Sequence, residues 1–324
     1  MSKKCLNVGV IGLGKMGLLH ASVLSFLPEV HLSVICEGNA KIVRFAKKMF
    51  NGTQFIDSVD KLADLKLDAI YVTTPIPSHF PIAQVIYSNR ITSNLFIEKT
   101  LALNYDDAVN LSHLAESSKG VNMVGYMNRF AVTFRKGKEL LEQGNIGYVV
   151  AFEAHCLSSD FVSVKKGTSP RGGVLRDLGS HILDSALWYF SDLQIESVKE
   201  NTLDNTYFKV KGLDEIEGIF DISWCRKEYR TPEMRLTIKG TKGIIIVDNS
   251  SVQLQKSNEK VVVWYRQDLN DNVPFLLGAP EYFREDEYFT KSILENRFAE
   301  PSFVTAAKID RLINEVALRT QQHE

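Results

Sequence analysis

The chain up to about Val124 alternates short runs of apolar, β-branched residues with longer segments whose apolar residues recur every three or four positions. The short runs predict the strands Asn7–Ile11, Leu32–Cys36, Thr53–Phe55, Ala69–Thr73, Asn94–Glu98 and Asn122–Gly125. The longer segments predict the helices Met16–Leu27, Ala40–Phe50, Ser58–Asp64, Phe80–Ser88 and Tyr105–Ser118. Strands that alternate with helices are typical of a parallel sheet covered by helices. This part of the chain therefore predicts an α/β fold with a doubly wound parallel sheet.

After Arg129 the pattern changes to β-forming runs joined by short turns. The predicted strands are Tyr148–Cys156, Tyr207–Val210, Glu217–Cys225, Glu233–Lys239, Gly243–Asp248, Val252–Gln255 and Lys260–Arg266, and the predicted helices are Phe134–Gln143, Gly179–Phe190, Glu281–Asn296 and Thr305–Thr320. Successive strands with tight turns favour an antiparallel sheet. We therefore predict two domains, residues 1–127 and an α+β domain of residues 128–324 with a large, mostly antiparallel sheet. Helix 305–320 is a candidate to pack back on the first domain.

The charge and cysteine content narrow the classes of partner. The 38 basic and 39 acidic residues are interspersed, so no field is expected that would hold nucleic acid or a membrane surface. The four cysteines lack metal-ligand spacing, which favours reduced thiols and no metal site. No segment reaches the ~18 apolar residues of a membrane span, and the start lacks a secretory h-region. We expect a cytoplasmic protein that acts on a small molecule.

A glycine-rich loop follows the first predicted strand and precedes the first predicted helix. Its residues Gly12, Gly14, Lys15, Met16 and Gly17 form a GxGxxG motif, which is a weak signal alone and a stronger one between a strand and a helix. In a Rossmann domain the three glycines allow a tight turn, close approach of a pyrophosphate and close helix packing. The helix N-terminus then offers N–H groups to the phosphates. The alternative is a glycine-rich turn that binds no ligand.

Glu37 ends the second predicted strand, twenty positions after Gly17. An acidic side chain at this place can accept hydrogen bonds from the adenosine ribose, and it would repel a 2′-phosphate. We therefore predict NAD as the cofactor. Lys41 and Arg44 lie close enough in sequence to leave NADP open, and a solvated strand end is the alternative role for Glu37.

Two further strand ends are candidates to meet the cofactor at the carboxyl edge of the sheet, where ligands of such sheets bind. The turn Thr73-Thr74-Pro75, followed by His79, is expected near the ribose on the nicotinamide side, although such a turn also occurs without function. Glu98 and Lys99 end the next strand, and Lys99 is placed to donate to a substrate oxygen. This inference rests on the position of Lys99 at the strand end and not on its residue type, because most lysines are simply solvated.

A second cluster runs from a glycine-rich loop, which begins at Arg171, into an apolar helix. Asp177 and His181 are four positions apart, so they share one helix face, which Asp184 continues. Oxidation of an alcohol needs a base for the hydroxyl proton, and the ordinary pKa of histidine near 6.5 suits this role. The alternative is that Asp177 caps the helix and His181 is a packing residue.

Five motifs together give the chain a resemblance to a known family. These are VGVIGLGKMG, VTTPIPSH, FIEKTLALN, GYMNRF and GGVLRDLGSHILD, and their order and spacing cover nearly the whole chain. They resemble the glucose–fructose oxidoreductase and inositol dehydrogenase family, known as Gfo/Idh/MocA. The resemblance implies a Rossmann domain followed by an open-faced sheet domain, with dimers or tetramers assembled through that sheet.

The resemblance also implies roles for individual residues. Lys99 matches the lysine of the EKP motif, and Asp177 and His181 match the aspartate and histidine of the GG…D…H…D motif. In the family these three form the catalytic group, with the histidine as general base. Thr100 departs from the usual proline after the lysine. This departure leaves the lysine's placement in question but removes no reacting group.

Four other residues are expected in supporting or substrate-binding roles. Asn128 and Arg129 match a segment that lines the substrate pocket in the family, and Asp184 matches a supporting residue. Arg171 belongs to the stretch Leu157–Gly173, from which we expect part of the pocket to be built.

The leading hypothesis is an NAD(P)-dependent dehydrogenase that acts on a sugar, a nucleotide sugar or a cyclitol. The alternatives are a non-catalytic, dinucleotide-binding sensor and an enzyme that recycles a tightly bound NAD(H). A sensor would retain the glycine loop while its chemical cluster decayed, whereas Lys99, Asp177 and His181 are all present. Enzymes that recycle the cofactor share the same motifs.

Overall fold

The structure is a computed structural model that describes residues 5–159, 172–274 and 278–321. The chain forms two compact units. The first contains the chain up to Tyr126 together with Tyr282–Asp310, and the second contains Met127–Glu281 together with the segment from Arg311 onward. The first unit thus takes in a segment from near the end of the chain.

The first unit is built on a six-stranded sheet in the order β3-β2-β1-β4-β5-β6, in which all pairs are parallel. The strands are β1 Leu6–Ile11, β2 Val30–Cys36, β3 Gln54–Ile56, β4 Ala69–Val72, β5 Leu95–Glu98 and β6 Asn122–Gly125. Helices α1 Lys15–Phe26, α2 Ala40–Ala46, α3 His79–Ser88 and α4 Tyr105–Ser118 connect them. Every side chain of β4 and β5 is buried, as expected for strands covered on both faces. The strand order reverses beside β1, which is where such sheets bind ligands.

The second unit is built on an eight-stranded sheet in the order β14-β13-β12-β11-β7-β10-β9-β8. Its strands are β7 Val149–Leu157, β8 Leu193–Asn201, β9 Asn205–Gly212, β10 Glu217–Ser223, β11 Glu233–Gly240, β12 Gly243–Asp248, β13 Ser251–Lys256 and β14 Val262–Tyr265. All pairs are antiparallel except β7 with β10. The remaining α-helices of the described residues are α5 Val132–Glu142, α6 Ser180–Phe190, α7 Pro280–Leu294 and α8 Phe303–Gln321. The predicted fold class is confirmed.

The two faces of the eight-stranded sheet differ in polarity. Helices α5 and α6 pack against it, and one face buries side chains such as Phe152, Leu236 and Ile245. The alternate positions carry charged pairs, including Lys239 with Glu153 at 2.5 Å. This alternation of buried and half-exposed positions is the pattern of an antiparallel sheet that is covered on one side.

Two elements differ from the sequence prediction. The predicted helix Ser58–Asp64 is only a single 3₁₀ turn, Val59–Leu62, because Leu62 is its one fully buried side chain and no apolar stripe is available for a longer helix. The strand β8 was not predicted. Two register shifts in its pairing with β9 interrupt the period-two alternation by which a strand is recognised.

Among the helices of the described residues, none combines the length and the apolar character that crossing a bilayer demands.

Candidate active site

The glycine loop at the end of β1 has the geometry that its sequence predicts. Gly12 has a φ of 88°, which L side chains rarely adopt, and a Cβ there would lie 2.6 Å from Thr74 Cγ2. A Cβ on Gly17 would lie 2.0 Å from the Gly12 carbonyl oxygen, so only glycine lets α1 pack this closely. A Cβ on Gly14, by contrast, would meet nothing within 4 Å. The loop is therefore packed tightly against the protein at Gly12 and Gly17, and its backbone is accessible at Gly14.

The open side of the loop is the N-terminus of α1. Gly14 is the N-cap residue, it has no side chain with which to cap the helix, and the first turn carries no acidic residue. Lys15 is exposed and Met16 is half-buried. Backbone N–H groups at such an end attract phosphate oxygens. These features fit the pyrophosphate of a dinucleotide.

Thr73 supports the loop from behind. Its hydroxyl, in a side chain that is 8% exposed, donates to the Gly12 carbonyl oxygen at 2.7 Å. Thr74 accepts from the Ser78 hydroxyl at 2.8 Å, and Pro75 is exposed. The Thr73 hydroxyl thus holds the turn at Gly12 in shape, a role that the sequence did not indicate.

Glu37 is fixed at the end of β2 by two backbone donors. Its Oε2 accepts from the Leu13 N–H at 2.7 Å, and its Oε1 accepts from the Asn39 N–H at 2.7 Å. Asn39 in turn caps α2 by accepting from the Lys41 N–H at 3.0 Å. The carboxylate therefore links the glycine loop to the start of α2, and each oxygen keeps a second lone pair for a ligand hydroxyl.

A cavity of about 510 Å³ lies directly beside Glu37. It is lined by Glu37, Gly38, Ala40, Val43, Arg44, Lys47, Phe55, Ile56, Asp57 and Lys61. Val43, Phe55 and Ile56 provide apolar walls of the kind that suits a planar base. Phe55 and Ile56 were not predicted as site residues, although their place at the end of the strand next to β2 could have indicated them. The cavity fits the adenosine end of a dinucleotide.

The carboxylate of Glu37 should determine the choice between NAD and NADP. In a Glu37→Ser variant we expect NAD affinity to fall by about tenfold or more, since hydrogen bonds to a charged group contribute about 1.5–3 kcal/mol each. Affinity for NADP should rise, because Arg44 lines the same cavity and the repulsion is gone. Titration of both cofactors checks this, with the exposed Glu116→Ser on α4 as the control. Unchanged preference in Glu37→Ser would contradict the assignment.

Lys99 lies at the end of β5 in a framework of backbone hydrogen bonds. Its N–H donates to the Glu98 carboxylate at 3.0 Å, and its side chain is half-buried. Thr100, which stands where the family usually has proline, is fully buried, and its hydroxyl donates to the Ala102 carbonyl oxygen at 3.2 Å. The segment after the lysine is thus held by hydrogen bonds that proline could not make.

His79 connects the two strand ends that were predicted to meet the cofactor. It is fully buried, and its ring nitrogens lie 2.8 Å from the Thr74 and Thr100 carbonyl oxygens. Burial lowers the pKa of His79, which the nearby carbonyl oxygens partly oppose. His79 therefore lies between the Thr74 turn and the segment after Lys99, and the neutral ring donates its single N–H to one of the two carbonyl oxygens.

In the second unit, a glycine pair leads into an unusual helical turn. Gly172 and Gly173 have φ values of 78° and 86°, and residues Leu175–Gly179 then form a π-helical turn that continues into α6. Asp177 lies within this turn, and its N–H donates to the Gly173 carbonyl oxygen at 3.0 Å. The backbone of Asp177 is thus part of the helical turn itself. π-turns occur frequently at functional sites.

His181 follows this turn as the second residue of α6. Both His181 and Asp177 are half-buried. Ser185, one turn later, donates its hydroxyl to the His181 carbonyl oxygen at 3.0 Å. The four-residue spacing from Asp177 to His181 spans less than one turn of a π-helix. The histidine is thus carried by a regular helix immediately after the irregular turn.

Arg129 forms a buried ion pair with Asp184, which is a residue of α6. The Asp184 carboxylate, with no exposed surface, accepts from Arg129 Nη2 at 2.7 Å and from Nε at 2.9 Å, and the guanidinium lies 5.9 Å from the Trp188 ring centre. Asn128 is also buried and donates to the Met234 sulfur at 3.4 Å. The guanidinium, expected at the substrate, is thus engaged with Asp184. Arg171 lies outside the described residues.

Three side chains of the first unit have the donor atoms of a metal site. His20, Glu285 and Asp286 are buried, and their donor atoms lie within 4.8 Å of one another. The separation of 2.8 Å between His20 Nδ1 and Asp286 Oδ1 is that of a hydrogen bond with a proton between the atoms. We therefore interpret the contact between His20 and Asp286 as an ion pair.

The chain is similar to known dehydrogenases in sequence and in fold. The myo-inositol 2-dehydrogenase of Thermotoga maritima is 24% identical over 263 residues, which is 75% of each chain. The glucose-6-phosphate 3-dehydrogenase of Bacillus subtilis is 26% identical over 215 residues, which is 63% of this chain and 59% of that one. A levoglucosan dehydrogenase in complex with NADH and levoglucosan shares the fold with a TM-score of 0.86 at 18% identity, covering 99% of this chain and 98% of that one.

Two family models match most of the chain. Residues 6–126 match the oxidoreductase family with an NAD-binding Rossmann fold, and residues 134–246 match the C-terminal domain of the same GFO/IDH/MocA family. The first match covers the glycine loop, Glu37 and Lys99, and the second covers Asp177 and His181. The chain therefore belongs to the GFO/IDH/MocA family of NAD-binding oxidoreductases.

Proposed function

We propose that this protein is an NAD-dependent dehydrogenase that acts on a carbinol carbon of a sugar, a nucleotide sugar or a cyclitol. The observation that carries the proposal is the π-turn that contains Asp177 and continues into α6, the helix with His181. The chain also has an open glycine loop and a cavity beside Glu37. The printed names of the relatives, dehydrogenases of inositol and of glucose 6-phosphate, support a polyhydroxylated substrate.

Each catalytic residue has a distinct role in this proposal. NAD, when bound, supplies the hydride acceptor. His181 takes the proton of the substrate hydroxyl, because imidazole accepts a proton near neutral pH. Lys99 donates a hydrogen bond to the reacting oxygen, and Asp177 orients the substrate. In the reverse direction, His181 returns the proton to the oxygen of the ketone.

Arg129 and Asp184 contribute to the proposed site by supporting it. Their buried pair holds α6, the helix that carries His181. Asn128, Arg129 and Arg171 remain predicted substrate contacts.

The proposal is tested by turnover on a panel of hexoses, inositols, sugar phosphates and nucleotide sugars, each with NAD or NADP, while reduced nicotinamide is followed. We expect one substrate class to turn over with NAD, and Lys99→Ala to lose most of that turnover. Tight NADH binding without turnover on any panel member would favour a sensor or an enzyme that recycles its cofactor.

We further propose that the protein is cytoplasmic. We also propose that copies associate through the open face of the eight-stranded sheet, which is the face opposite Phe152, Leu236 and Ile245. Half-exposed apolar side chains on this face, among them Ile219, Ile244 and Ile246, support such an interface. Light scattering should then give two or four times the chain mass. Ile246→Glu should shift the protein toward monomer, and a monomeric wild-type protein would contradict this proposal.

A further inference from the structure

A continuous line of buried polar groups connects helix α7 to the backbone of Lys99. His20 on α1 has no exposed surface, and its Nδ1 lies 2.8 Å from Asp286 Oδ1 and 3.0 Å from Oδ2. Its Nε2 lies 2.9 Å from Glu98 Oε1. The other oxygen of Glu98 accepts from the Lys99 N–H at 3.0 Å. All of these residues belong to the first unit.

When both carboxyl groups are ionised, the histidine between them must be doubly protonated in order to donate to each. Only the imidazolium form donates from both ring nitrogens. Burial alone would lower the pKa of His20, but the charges and hydrogen bonds of Asp286 and Glu98 outweigh it and raise that pKa well above its usual value. Burial likewise opposes ionisation of Glu98, yet its hydrogen bond to His20 and the His20 charge hold its pKa below the usual value. Burial raises the pKa of the Asp286 carboxyl, a rise that the His20 charge and hydrogen bond oppose. With His20 charged, its two ring nitrogens donate to Asp286 on one side and to Glu98 on the other.

The surroundings of His20 exclude water and hold the ring in place. The ring centres of Phe96, Tyr71 and Tyr282 lie 5.1, 5.7 and 6.0 Å from that of His20. On the neighbouring strand β6, a Cβ on Gly125 would lie 3.3 Å from the Glu98 carboxyl carbon, so the glycine leaves room for the carboxylate. In such a low-dielectric setting the hydrogen bonds are strong and their geometry is well defined.

We propose that His20 is a positioning residue that acts through the Glu98 carboxylate to fix the backbone of Lys99, with Asp286 as its anchor on α7. With one oxygen held by His20, the carboxylate cannot rotate, and its second oxygen fixes the peptide N–H from which the lysine side chain extends. This inference rests on the proposed function, in which Lys99 contacts the reacting oxygen. The same line ties α1, which begins at the glycine loop, to the strand that carries the lysine.

The first test replaces His20 with phenylalanine, a ring without donors that suits the aromatic surroundings. We expect kcat to fall by about 10- to 100-fold, as for a displaced catalytic group, with KM for NAD unchanged within about twofold. Hydrogen exchange at the Lys99 amide, followed by NMR in ¹⁵N-lysine-labelled protein, should become at least about tenfold faster. His113→Phe, on the exposed face of α4, is the control and should change neither quantity.

The second test keeps the hydrogen bonds and removes one charge. In Asp286→Asn the amide oxygen still accepts from His20 Nδ1, but loss of the carboxylate lowers the pKa of His20. The titratable groups that face the ring are then Glu98 from β5, Glu285 and Tyr282 from α7, and Tyr71 from β4. As pH rises, His20 should lose its charge earlier while its Nε2 proton stays between the ring and the Glu98 carboxylate. The loss of charge weakens the Nε2 hydrogen bond to Glu98, so a decline of kcat and faster Lys99 exchange on the alkaline side should both begin at lower pH than in the wild type. This variant keeps the proposal testable if His20→Phe does not fold.

The outcomes separate this inference from the proposed function. Undiminished turnover in Lys99→Ala would remove Lys99 from catalysis. Exchange of the Lys99 amide, compared between the wild type and His20→Phe, would still report whether His20 holds the backbone of Lys99. Unchanged exchange and unchanged kcat in His20→Phe would overturn the positioning role. A rise in exchange spread evenly over β1 to β6 would also overturn it, because that result indicates general destabilisation.

Discussion

Replacing His181 with alanine is expected to lower kcat by about 10²- to 10⁴-fold, the usual contribution of a general acid–base group. Binding of NADH should stay unchanged, because the glycine loop and the cavity beside Glu37 belong to the first unit and His181 belongs to the second. Steady-state kinetics on the substrate identified by the panel, together with NADH titration, measure both quantities.

The control for this prediction is His31→Ala, which removes an exposed histidine from β2. It should leave kcat unchanged. The pH profile adds a second readout, since loss of the base should remove the acidic limb of the kcat profile. If His181→Ala turns over within about threefold of the wild type, far less than a general base contributes, another group takes the proton.

Replacing Asp184 with alanine is expected to destabilise the second unit by about 3–5 kcal/mol, because it removes the carboxylate that pairs with the buried Arg129 guanidinium. A loss of this size corresponds to a fall in Tm on the order of 10 °C for a unit of this length. Asp184→Asn, which retains one acceptor oxygen, should lose less. Calorimetry of the three proteins provides the measurement.

Asp221→Ala is the matched control because it also breaks an arginine–aspartate pair, but an exposed one. Arg226 and Asp221 are 3.2 Å apart, and their side chains are 44% and 35% exposed. Such surface pairs contribute about 0–1 kcal/mol. Equal Tm values for Asp184→Ala and Asp221→Ala would show that the buried pair does not hold α6.

The main features of the fold could be predicted because its strands follow simple hydrophobic periods. The apolar run at β4, the run Leu95–Ile97 of β5 and the alternation at β11 each fall on the predicted segment. Strand β8 was missed because two bulges break its alternation. The segment Ser58–Asp64 has a helical composition but only one buried apolar side chain, and composition alone does not reveal this.

The positions of several site residues could also be predicted, but their contacts could not. Spacing from Gly17 placed Glu37 at the end of β2, where the structure has it. The Thr73 hydroxyl was expected near a ligand, yet it donates to the Gly12 carbonyl oxygen. A hydroxyl has many acceptors within reach, and only the folded backbone determines which one it meets.

Long-range pairs and backbone irregularities left no signal in the sequence. His20 lies on a predicted helix, but its partner Asp286 is 266 positions away, and no local pattern joins the two. The π-turn at Leu175–Gly179 likewise has no composition of its own, so Asp177 and His181 were assigned to regular helical spacing. Both features depend on tertiary packing, which local propensity does not describe.

The most direct test of the central claim is hydride transfer itself. The purified protein would be incubated with NAD and a pool of sugars and cyclitols deuterated at their carbinol carbons, then denatured, and the extracted cofactor analysed by mass spectrometry. We expect reduced cofactor that carries one deuterium, even if the protein holds its NAD tightly, and far less label in His181→Ala. Fully bound cofactor that remains oxidised and free of deuterium would contradict a dehydrogenase acting on polyhydroxylated substrates.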